Sequence, residues 1–128
     1  MRSFALLVAL LILVAACGDS DGGADPERFC ELLEELDAQN TAGMSADDAL
    51  PILQEGRDKY VEGLEVVPGE IRADAETFAN YVIEITDLLI AAGGDESQVD
   101  LDALEAIPDE GVEAAAEGVG TWRASNCS

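Results

Sequence analysis

From Ile71 to Leu89, the apolar residues Ile71, Ala75, Phe78, Val82, Ile85 and Leu89 recur at alternating intervals of four and three. This is the repeat of a helix that buries one continuous seam. A strand cannot use it, because strand side chains change face at every residue. Breakers bound the segment, Pro68-Gly69 before it and Gly93-Gly94 after it. Such a seam needs helical partners, and the flanking sequence supplies them. Asp25-Pro26-Glu27 offers an N-cap, a proline at the first helical position and an acid in the first turn. With Phe29, Leu32, Leu33 and Leu36 behind it, this predicts a helix over 26–38. After the break QNTAG, Ser45 or Asp48 can cap a second helix with Leu50, Leu53, Tyr60, Leu64 and Val67 on its stripe, Pro51 leaving its start open. A Ser/Asp-rich loop and a short helical turn, Leu101 to Ala106, lead to Pro108. That proline is expected to open a fourth helix with Val112, Ala115, Val119 and Trp122 inward. The expected fold is all-α, a four-helix bundle in up-down-up-down order, the order that short connections favour.

At 128 residues the chain is one domain, large enough for a hydrophobic core yet small enough to gain from a covalent staple. Its 28 Asp and Glu against 6 Lys and Arg give a formal charge of -22. A polyanion of this kind repels nucleic acid and anionic headgroups and attracts basic proteins and cations, so nucleic acid is excluded as a partner. Hydrophobic residues make up 48% of the chain and fall at periodic positions, which separates it from disordered acidic segments. Such a charge speaks first to solubility and only second to function.

There is no histidine. This removes the commonest general base, the Ser-His and Cys-His pairs and the Glu-x-x-His sites of di-iron bundles. Acids are plentiful, but none falls on an apolar stripe where burial would raise its pKa for glycosidase-like work. The acid-dense run GDESQVDLDALE, Gly94 to Glu105, fails as an EF-hand loop: Asp100 stands where the glycine is required and Val99 fills a ligand position. Glu110, Glu113 and Glu117 share one helical face that reads as hydrated. No catalytic residue, metal site or cofactor is assigned. In the third helix, Ala79, Ile83, Leu88 and Ile90 add a second apolar face to the seam. Either this helix is simply the most buried, or the surplus face lines a groove for an apolar ligand or a partner helix. Gly56 and Gly63 in the second helix then mark close approach or a cavity wall. Trp122, the one tryptophan, covers a core edge or anchors at a membrane interface.

Residues Met1 to Cys17 read MRSFALLVALLILVAAC: one charge at Arg2, then thirteen apolar residues from Phe4 to Ala16. That is the layout of a secretion signal and is short of the roughly 20 residues a bilayer-spanning helix needs. Val14-Ala15-Ala16-Cys17 resembles the bacterial lipobox, an aliphatic residue and two small ones before a cysteine. The resemblance implies a diacylglyceryl thioether on Cys17, cleavage after Ala16 and a mature N-terminus at Cys17. Two or three acyl chains, palmitate among them, hold a protein on a membrane far more firmly than one. The organisation is then a signal peptide over 1–16, a lipidated cysteine and acidic tether over 17–25, and a helical domain over 26–128. Loss of residues 1–16 takes Arg2 and no acid, leaving a charge of -23. Phe29-Cys30 together with Trp122 and Asn126-Cys127 loosely resembles small acidic helical lipoproteins of actinobacteria, and that similarity transfers no functional residue.

With Cys17 consumed by lipid in an oxidising compartment, Cys30 and Cys127 are expected to form a disulfide. Antiparallel first and last helices bring both to one end. The expected role is a non-enzymatic binding or accessory module on the extracytoplasmic side of the cell membrane. Its partners are the membrane, through Cys17, and a basic or apolar-faced envelope protein. A carboxylate-based envelope hydrolase and a purely structural envelope protein are the alternatives. Mass spectrometry of the membrane fraction tests the anchor: the mature chain begins at acylated Cys17, and Cys17→Ala leaves the membrane. An unmodified Cys17 contradicts it.

Overall fold

The computed structural model describes residues 23–128, so the expected signal peptide over 1–16, the expected lipid-bearing Cys17 and most of the expected tether over 17–25 lie outside the described residues. The described chain is all-helical. It comprises α1 (Pro26–Asp37), α2 (Ala46–Val66), α3 (Arg72–Ala91), the short α4 (Leu101–Glu105) and α5 (Val112–Asn126), with single 3-10 turns at Gly69–Ile71 and Glu96–Gln98.

Local chemistry sets most boundaries. The Asp25 carboxylate accepts from the Arg28 N–H at the start of α1. Ser45 rather than Asp48 caps α2: its hydroxyl oxygen accepts from the Asp48 N–H while the hydroxyl donates to the Asp48 carboxylate. Pro51 therefore lies inside α2 and forfeits one backbone bond near the helix start. Gly93 and Gly94 close α3 with φ of 69° and 83°. At Gly94 a side chain would also strike the Ala46 carbonyl, so this residue brings the α3 end against the α2 start.

One boundary differs from the expectation. Pro108 does not open the last helix; α5 starts at Val112, behind Gly111 at φ 78°. A left-handed residue cannot continue a right-handed helix, so residues 108–111 form a turn. The Val112 N–H donates to the Asp109 carbonyl across it.

Packing centres on α3, which lies between α2 and α5. Contacts run in opposite order along each pair: Arg57 meets Asp87 and Tyr60 meets Phe78 between α2 and α3, while Glu70, just ahead of α3, meets Trp122 and Asp74 approaches Gly118 on α5. Neighbouring long helices are thus antiparallel. Because α3 is gripped on two sides, its burial departs from the simple seam. Ile71, Ala75, Ala79 and Thr86 are buried, whereas Phe78, Val82, Ile85 and Leu89 are half-buried. Thr86 is accommodated by donating to the Val82 carbonyl, which satisfies its hydroxyl within the helix.

On α2 the fully buried positions are the small residues Ala49, Gly56 and Gly63, seven apart. The expected stripe Leu50, Leu53, Tyr60 and Leu64 is half-buried beside them. Gly63 allows α1 to close in, with the Phe29 ring 3.8 Å from where a Cβ would stand, and Gly56 admits Gln39. α4 packs on α3.

The core gathers Phe29, Val67, Ile71, Ala75, Val119 and Trp122 at one end, with Cys30 and Cys127 packed against it. The disulfide Cys30–Cys127 joins α1 to the end of α5, Cα atoms 5.6 Å apart. Trp122 is buried; its indole N–H donates to Glu70 and its ring meets Phe29 edge-on at 5.5 Å. It covers the core edge and is not placed as an interface anchor. Closing a loop of 97 residues constrains the unfolded chain by about 4 to 5 kcal/mol in the chain-entropy treatment. Equilibrium denaturation of the Cys30→Ser, Cys127→Ser double variant should show a loss of about that size. An unchanged midpoint contradicts it.

Candidate functional site

Where α1, α2, α3 and α5 converge they leave an apolar cleft of about 260 Å³. Leu32, Gly63, Ala75, Phe78, Ala79 and Val119 are among its inner lining, and Asp37, Lys59 and Arg123 are among the residues at its polar margin. The space follows from side-chain size. Gly63, Ala75, Ala79, Ala116 and Gly120 present little or no side chain to the interhelical gap, and at ordinary interhelical distances such residues cannot fill it. The volume of the cleft falls just under the usual range of small-molecule pockets.

The polar margin is organised by ion pairs. Arg123 bonds Asp37 and so bridges α5 to α1 over the cleft. The Lys59 ammonium reaches Glu55 at 2.6 Å and Glu35 at 3.4 Å, its side chain only 17% exposed. Deeper along α1, Arg28 binds Glu62, Glu35 and Glu31, tying α1 to α2. Hydrogen bonding to Arg28 holds the Glu35 and Glu62 carboxyls below the ordinary glutamate value. Hydrogen bonding to Glu55 raises the Lys59 pKa. Burial, reinforced by Asp37, pushes the Tyr60 phenol up.

Of the second apolar face on α3, Ala79 lines the cleft, while Ile83, Leu88 and Ile90 are half-buried outside its lining. Gly63 forms part of its wall; Gly56 lies at a smaller neighbouring hollow with Tyr60 and Thr86. The contributions of Lys59, Ala116, Gly120 and Arg123 went unread in the sequence. Ala116 and Gly120, one helical turn apart on α5, were the visible signal.

Elsewhere the acids form no comparable site. The Asp95 carboxylate accepts from the Ser97 N–H and hydroxyl, which lowers its pKa and makes it a turn cap. Among the described residues no three Asp, Glu or Cys side chains are arranged to hold a metal ion, and no helix is long and apolar enough to cross a membrane. The displaced carboxyls Glu35, Glu62 and Asp95 all move downward, the direction opposite to that of a general acid. Comparison with protein-family models, curated proteins and solved structures gives no match to this chain.

The Arg28 cluster carries a pH signature. Carboxyls whose folded pKa is depressed contribute stability above their unfolded value, near 4.5, and lose it as pH falls through the folded one. The melting-temperature advantage of wild type over Arg28→Gln should therefore be largest above about pH 6 and shrink as pH drops below about 4.5. Salt should shrink it too, because these groups face solvent. An advantage that grows with acid contradicts the assignment.

Proposed function

We propose that this protein is a lipid-anchored, extracytoplasmic, non-enzymatic binding module that holds a small apolar ligand in the cleft between α1, α2, α3 and α5. The cleft carries the reading: an apolar space walled by four helices and kept open by Gly63, Ala79 and Gly120. On this reading the body is a four-helix bundle in up-down-up-down order, with α4 an appendage on α3. Support for the order comes from the antiparallel contacts and from a disulfide uniting the first and last long helices. The anchor rests on the Val14–Cys17 resemblance to the lipobox.

The tether would place the disulfide end toward the membrane. The Asp25 N–H donates to the Val66 carbonyl, so the chain enters the body beside Cys30 and Cys127. The cleft would then stand within a short tether's reach of the bilayer, and any envelope protein partner would meet the acidic outer faces. A hydrolase would need a carboxyl with raised pKa inside a cleft, and the displaced carboxyls here move the other way.

Binding of the neutral apolar fluorophore N-phenylnaphthylamine tests the site. Wild type should bind it saturably at one site per chain. Gly120→Leu should weaken it about tenfold or more, the loss expected from excluding roughly two methylenes' worth of buried contact. At Gly120 an added Cβ meets no atom within 4 Å, so the substitution starts from open space at the cleft wall, and an unchanged far-UV circular dichroism spectrum and melting temperature check that the fold is kept. No saturable binding by wild type, or equal binding by the variant, overturns the proposal.

A further inference from the structure

Away from the cleft, the disulfide itself stands in a charged setting. Cys30 and Cys127 are both half-buried, and both line a surface hollow of about 330 Å³ where the start of α1 meets the end of α5. Glu27, Glu31 and Glu34 line it with them. These three acids recur at helical spacing around Cys30 and share its face of α1.

The hollow has no Lys or Arg in its lining. Arg28, the nearest cation along α1, turns to α2, where it binds Glu62 at 2.6 Å, and it reaches back to Glu31 at 3.2 Å. Arg123, one turn before Cys127, is held by Asp37. Glu27 and Glu34 are exposed and enter no ion pair among the described residues. A reagent approaching the sulfurs therefore meets two carboxylates without a counter-charge and a third shared with Arg28, on a chain whose formal charge is -22.

A disulfide is opened by a thiolate. Its sulfur attacks one cysteine Sγ, a new S–S bond forms, and the electron pair of the old bond leaves on the other cysteine as a thiolate. A second thiol then attacks the mixed disulfide and frees the second cysteine, so two thiols are oxidised to one disulfide while Cys30 and Cys127 are reduced. The attacking charge is negative for every thiol, so the acids oppose them all. A second charge on the reagent decides among them.

We infer that Cys30–Cys127 is a site of charge-selective thiol exchange, whose thiol partner carries positive charge beside its attacking sulfur. Exposed charges act a few-fold each, so reversing the sign of that second charge changes the rate about tenfold at low salt. The difference falls as salt rises, because exposed charges are screened. Exchange here opens the covalent closure between α1 and α5.

The test compares cysteamine with 3-mercaptopropionate, reagents of similar size and opposite second charge. Alkylation and mass spectrometry read Cys30 and Cys127 after timed exposure of the oxidised protein. Rates are referred to thiolate concentration, and their ratio to the ratio on a small neutral disulfide. The protein should favour cysteamine about tenfold more than the reference does, with the excess shrinking in salt. Glu27→Gln with Glu34→Gln should speed mercaptopropionate several-fold and leave cysteamine nearly unchanged, whereas a loosened α1 would speed both. Glu110→Gln with Glu113→Gln makes the same change in net charge at the far end of α5, roughly 20 Å away, and should keep the wild-type ratio. A ratio equal to the reference overturns the inference, as does a rate independent of thiol concentration. So does a full preference in the Glu27, Glu34 variant, or a loss of preference as large in the Glu110, Glu113 variant.

Discussion

The Cys30–Cys127 bond is the constraint on which the rest of the arrangement depends. The helices α2, α3 and α5 form a continuous packed series, but α1 has only twelve residues and shares a broad face with α2 alone. A helix this short is marginal by itself, so its position must come from tertiary contacts. Phe29 and Leu32 supply the apolar part by packing into the core. The disulfide supplies closure by fixing the start of α1 to the end of α5. With that end fixed and the rest of the α1–α5 seam lightly packed, the gap between them becomes the cleft bridged by Arg123 and Asp37.

The same economy governs the charges. A chain with 28 acids and 6 bases cannot offset repulsion globally, so it places its few cations where one can serve several acids. Arg28 meets three glutamates across α1 and α2, and Lys59 meets two. From Ala73 to Trp122 there is no Lys or Arg at all, so every charged side chain in that stretch is an acid. Helix-to-helix charge pairing is thus concentrated around α1 and α2, and the α3–α5 pairing relies on apolar contact and on Gly118, where a side chain would strike Asp74.

Much of the architecture was legible in the sequence because it is written locally. Asp25-Pro26 delimits a helix through cap chemistry, Gly93-Gly94 through left-handed geometry and Pro68 through its missing N–H, none of which needs knowledge of neighbours. Pro108 misled because a proline suits a turn as well as a first helical position, and Gly111 decides between them only through its positive φ. The seam of α3 was readable as helix, but which face is deepest depends on α2 and α5 lying on two sides, and a single-helix period cannot encode that. The cleft was the least legible feature. Ala79 was in the pattern, yet Ala116, Gly120 and Lys59 become lining residues only when α5 and α2 converge on α1. Small residues give no hydrophobic signal of their own, so the absence of side chains across helices is a tertiary property.

Amide hydrogen exchange of the oxidised and reduced protein, compared residue by residue, tests the dependence on the disulfide most directly. If the disulfide is what seats α1 over the cleft, reduction should strip protection from Pro26–Asp37 first and most, while the interior of α2 and α3 stays protected. Protection in α1 that survives reduction, or that is lost only in step with α2, α3 and α5, would contradict the account.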